Sequence, residues 1–83
     1  MTNIEKMNST GASLRLNGIM ACIDSGKASK EEVEILKSLK KDKVILAGRP
    51  LSAYAYAALH LLGIEEYQGS NNDVKDFINS IKK

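Results

Sequence analysis

Apolar positions recur at helical spacing in three stretches of this chain and run together in two others. Ala12, Leu16, Ile19 and Ile23 stand at i, i+4, i+7 and i+11, one face of a helix over about Ser9 to Ser25. Gly26 follows as its stop. Gly11 and Gly18 lie seven residues apart on nearly one side, which suits close packing of a neighbouring helix. Residues 1–8 read as a flexible N-terminal tail, and residues 9–83 as one helical domain.

Ser29-Lys30-Glu31-Glu32 has the form of a capping box, with Ser at the N-cap and Glu three residues on. Val33, Ile35, Leu36 and Leu39 supply the apolar stripe of that second helix. Acidic residues open it, and Lys37, Lys40 and Lys41 lie near its end, as the helix dipole favours. Val74, Phe77, Ile78 and Ile81 give the cleanest amphipathic pattern, a last helix over about Asn71 to Ile81. Ser70 or Asn72 can cap it, and Lys82 and Lys83 complement its far end.

The two continuous runs need arbitration. Lys43 to Gly48 fits a buried strand or a helical turn equally well. With no second strand candidate to satisfy its ladder, the expectation is a short helix capped by Asp42 and closed by Gly48. Pro50 then opens a third helix over about Leu51 to Leu62, with Gly63 and Ile64 suited to a Schellman ending. This segment is apolar nearly all round, so it belongs at the centre of the bundle. Alanines at 53, 55, 57 and 58 let neighbours approach closely. The fold class expected is all-α, a small orthogonal bundle of four to five short helices.

Composition narrows what such a bundle can do. At 83 residues the chain buries about 60% of its unfolded surface, enough for one small core. Leu, Ile, Val and Phe number 21, which with a net charge of +2 predicts a folded chain. One cysteine, Cys22, and one histidine, His60, leave no Cys/His zinc site within a chain and no internal disulfide. A reducing, cytoplasmic setting and no membrane span are expected. Ten of the 12 basic residues are Lys, fewer Arg than a dedicated nucleic-acid surface uses. Asp24-Ser25-Gly26-Lys27-Ala28 echoes a phosphate-binding loop but lacks its first Gly and its Ser/Thr.

Ala55, Ala58, Leu59, Leu62 and Gly63, with Asp42 and Arg49 before them, form a pattern that resembles a HEAT-like helical pair over about residues 29–63. The resemblance implies protein–protein interaction without catalysis. Gly48-Arg49-Pro50 lengthens the inter-helix region relative to that pattern.

The residues with chemistry to offer cluster on and around the third helix. Ser52, Tyr56 and His60 stand at i, i+4 and i+8 on one face, with Arg49 just ahead, a set able to bind an anion or carboxylate. Ser52 and His60 are about 12 Å apart by helical rise, beyond the reach of a catalytic pair. Tyr54 points away from Tyr56 and suits core or interface filling. Tyr67, beside Glu65 and Glu66, can serve as a recognition tip or tuck over the bundle end. Lys37, Lys40, Lys41 and Lys43 form a basic cluster that can touch phosphates. The function expected is binding of another protein, as adaptor, inhibitor or regulator of a larger complex. A homodimer is compatible, and no cofactor or metal is implied. The alternative is weak nucleic-acid binding through Lys37–Lys43.

Overall fold

Ser29 accepts a hydrogen bond from the Glu32 amide, and the Glu32 carboxylate accepts one from the Ser29 amide. The expected capping box is therefore present in full at the head of α3 (Lys30–Leu39) in this computed structural model, which describes residues 2–81. Leu36 and Leu39 are buried, and Val33 and Ile35 pack half-buried beside them.

The same chemistry occurs at the N-terminus, where a loose tail was expected. Thr2 and Glu5 form a second capping box at the start of α1 (Asn3–Met7). A five-residue helix is not stable alone. It is held because Met7 is 1% exposed and packs against α2 (Ala12–Ser25). Gly18 makes that docking possible. A Cβ at Gly18 would lie 2.6 Å from Met7 Cγ and 3.1 Å from the Asn3 carbonyl oxygen. Gly11 has no such neighbour; it stands at the N-cap of α2 instead. So α2 starts at Ala12, later than the spacing suggested.

The segment from Lys43 to Gly48 is not helical. Ile45–Leu46 (β1) pairs antiparallel with Arg49–Pro50 (β2), with Ile45 opposite Pro50 and Leu46 opposite Arg49. The strand that seemed to be missing is formed by the very next residues, across a two-residue turn. Both turn residues have positive φ, 55° at Ala47 and 81° at Gly48, the pattern of a type I′ hairpin turn. Pro50 has no amide hydrogen to contribute. In an antiparallel ladder bonded and non-bonded pairs alternate. The Leu51 amide donates to the Val44 carbonyl at 2.8 Å, so Val44–Leu51 is a bonded pair and Ile45–Pro50 is not.

That bond also explains how α4 (Leu51–Leu61) starts without a side-chain cap. The Leu51 and Ser52 amides donate to the carbonyls of Val44 and Asp42, each at 2.8 Å. The hairpin base thus caps the helix. At the other end the Ile64 amide donates to the Leu59 carbonyl and the Gly63 amide to that of His60, with Gly63 at φ 74°. This is the expected Schellman ending.

α4 is the central helix. Leu51, Ala53, Ala55, Ala57, Ala58 and Leu59 are fully buried, and α2, α3 and α5 (Asn72–Ile81) pack around it. Val74, Phe77 and Ile78 of α5 are buried as their spacing predicts. The cap of α5 is Asn71, whose side chain accepts from the Asp73 amide at 2.8 Å. The expectation for Lys82 and Lys83 falls outside the described residues, as does Met1 of the expected tail. The described residues form a small bundle of five helices with one two-stranded ribbon.

Candidate functional site

The residues of the stripe Arg49, Ser52, Tyr56 and His60 do not share one set of partners. The structure divides them between the two connections that enter and leave α4. Arg49 turns toward α5 and places its guanidinium 5.4 Å from the Phe77 ring centre and 6.0 Å from that of Tyr54. Tyr54 and Phe77 meet edge to face at 4.9 Å. The Tyr54 hydroxyl donates to the Leu46 carbonyl at 3.0 Å. These groups clamp the hairpin from beneath. Ser52 is half-buried on the same turn, next to the hairpin base.

Tyr56 and His60 serve the opposite connection. His60 Nδ1 accepts from the Tyr67 amide at 3.0 Å, which fixes the remaining ring hydrogen on Nε2. Tyr56 and Tyr67 rings meet at 5.4 Å, and the Tyr67 hydroxyl oxygen accepts from the Asn71 amide at 3.1 Å. The Tyr67 ring lies across Gly69, where a side chain would run into it. Tyr67 is therefore folded back rather than extended as a tip. Beside it lies an open depression of about 470 Å³, lined by Tyr56, Glu65, Glu66, Tyr67, Gln68 and Asn71 among others.

The basic cluster is likewise divided. Lys40 Nζ lies 2.9 Å from Glu65 Oε1 and 5.3 Å from the Tyr56 ring centre, and Lys37 Nζ lies 3.9 Å from Glu65 Oε2. Hydrogen bonding and charge from Lys40 lower the Glu65 pKa. Lys41 and Lys43 are exposed and form no ion pair among the described residues.

Asp42, between them, is consumed internally. Its carboxylate accepts from Arg15 Nε at 2.9 Å and from the Val44 amide at 3.1 Å. Both side chains of this ion pair are only 14% exposed. Arg15 Nη1 also donates to the carbonyls of Ser9 and Thr10, each at 2.9 Å. One guanidinium thus ties the start of α2 to the base of the hairpin.

The residues that sequence reasoning missed are Val44 and Ile45. They are 44% and 64% exposed, the former greater than any other large apolar side chain outside the hairpin among the described residues. Their signal was an apolar run that no helical period places in a core. The clamp residues Arg49 and Tyr54 hold this ribbon in position, and the side chains offered to solvent are Val44 and Ile45.

The remaining reactive groups are quiet. Cys22 has no exposed surface, and its thiol lies 3.8 Å from Glu32 Oε2 and 3.9 Å from Asn3 Nδ2. Burial first, then the Glu32 charge, pushes its pKa up to about 11. Among the described residues no three His, Cys, Asp or Glu side chains gather into a metal site, and no helix is long and apolar enough to cross a membrane. No family model, curated protein or solved structure matches this chain.

Proposed function

We propose that this chain acts by binding another protein, as an adaptor, inhibitor or regulator of a larger complex, and performs no catalysis. One observation carries the reading. The largest apolar exposure sits on a ribbon held firmly by Tyr54, Arg49 and the Arg15–Asp42 pair. A rigid apolar rim loses little conformational entropy when a partner covers it. The HEAT-like pattern over residues 29–63 points the same way. A buried single thiol in its protonated form suits a cytoplasmic protein.

Nucleic-acid binding through Lys37, Lys40, Lys41 and Lys43 draws less support, because Glu65 engages two of those four ammonium groups. A gel-shift titration at low and moderate salt tests it; salt-sensitive retention would favour that reading.

The test of the leading reading is affinity purification from the native host with wild type and a Val44→Asp, Ile45→Asp double variant. Circular dichroism and a thermal melt establish that the variant keeps its fold. Loss of the co-purifying protein from a folded variant is the expected result. Retention by that variant, with loss on Tyr56→Ala, would move the site to the connection that leaves α4, beside Tyr67.

A further inference from the structure

We infer that the outer edge of β1 receives an extended, acidic segment of another protein, which adds to the hairpin as a third strand. This deepens the protein-binding reading and rests on it.

The argument begins with the ladder. Because Val44–Leu51 is a bonded pair, Ile45 is a non-bonded position, and its amide and carbonyl point away from β2. Lys43 precedes the paired residues on the same side of the turn, and its amide and carbonyl make no hydrogen bond among the described residues. The two edges of the ribbon are unlike. On β2 the equivalent outward position is Pro50, which has no donor, and the chain turns at once into α4. Strand addition is therefore blocked on the β2 side and open on the β1 side.

Side chains next to the open edge indicate what can pair there. Ile45 lies on one face of the ribbon and Val44 on the other, both exposed. Lys41 and Lys43 flank them without an acidic partner, and the one nearby carboxylate, Asp42, is committed to Arg15 and the Val44 amide. The edge is thus apolar at its centre and positively charged along its approach. A second copy of this chain is a poor occupant, since its own β1 region brings two more lysines and no uncommitted carboxylate to meet Lys41 and Lys43. A segment that alternates β-branched residues with Asp or Glu satisfies the backbone groups, the apolar side chains and the charge at once.

The experiment is a selection of random decapeptides displayed on phage against the immobilised full chain, followed by amide hydrogen exchange with one synthetic peptide of the enriched sequence. The expected peptides alternate apolar with acidic residues and protect the Ile45 and Lys43 amides. N-methylation of alternate peptide amides weakens binding roughly tenfold or more, and K41E/K43E weakens it about tenfold at low salt and less at high salt. Peptides of helical spacing, basic peptides, or no enrichment overturn the proposal. Peptides that are lost with Ile45→Asp but leave the Ile45 and Lys43 amides unprotected overturn strand addition and leave the docking face standing. Peptides unaffected by Ile45→Asp overturn both.

Discussion

The two connections of α4 are built by the same device and end with unequal apolar exposure. Before the helix, a tyrosine hydroxyl holds a backbone carbonyl of the hairpin, and an arginine lies over two rings. After the helix, a histidine nitrogen holds a backbone amide of the loop, and two tyrosines meet edge to face. On the hairpin side the aromatic groups stay beneath and the aliphatic residues Val44 and Ile45 face water. On the loop side Tyr67 is folded back and half-buried, and the apolar exposure left there, Ile64 at 38% and Tyr56 at 36%, is smaller than that of Val44 and Ile45. The difference shows that anchoring a segment and burying it are separate choices. A segment anchored from below through its backbone keeps its side chains free for other contacts.

Breaking each anchor in turn sharpens that contrast. Arg15→Ala is expected to have the largest effect, about 2–3 kcal/mol, because it removes an ion pair and two carbonyl contacts and strands Asp42 at the hairpin base. Urea denaturation measures it, and hydrogen exchange should show faster opening at Val44. On the loop side Gly69→Ala displaces the Tyr67 ring and forfeits the pair with Tyr56 and the bond from Asn71, about 1–2 kcal/mol. Nuclear Overhauser contacts between the two rings should vanish in that variant. Tyr54→Phe deletes one hydroxyl bond and is expected to lower stability by about 1 kcal/mol, with no change to the loop. Ala47→Gly has the opposite sign. Relief of the left-handed conformation at φ 55° should raise stability by about 0.5–1 kcal/mol, read as an upward shift in melting temperature. A loss instead would mean that Ala47 contributes more by restricting the unfolded chain than it costs in the turn.

Helices α3, α4 and α5 were legible because their signals are local. A capping box, a Schellman glycine and an i, i+3, i+4, i+7 stripe each lie within one or two turns of sequence. The hairpin was hidden for a physical reason. Its second strand contains Pro50, a residue that reads as a helix start, and its turn carries Ala47 where Asn or Gly is the usual signal. Helix α1 has its own capping box, but five residues fold only when docked, and nothing local announces Gly18 as the dock. The candidate residues fared by the same rule. Tyr56 and His60 share a helix face as their spacing says, yet their common partner, Tyr67, is fixed by a loop conformation. The Arg15–Asp42 pair joins residues 27 positions apart, a separation that no periodicity reports.

The thiol of Cys22 makes the chain its own clock. It is walled in by Asn3 from α1 and Glu32 from α3, and its pKa stands near 11 against an ordinary 9.0. A raised acid pKa means that the fold favours the protonated form. The stability tied to this group is therefore fully present below pH 9 and drains away as pH climbs toward 11. At neutral pH almost no thiolate exists, so a thiol reagent must wait for an opening of α1, of α3 or of the whole fold that uncovers the sulfur. The labelling rate of this single sulfur then reports how often the wall built by α1 and α3 opens.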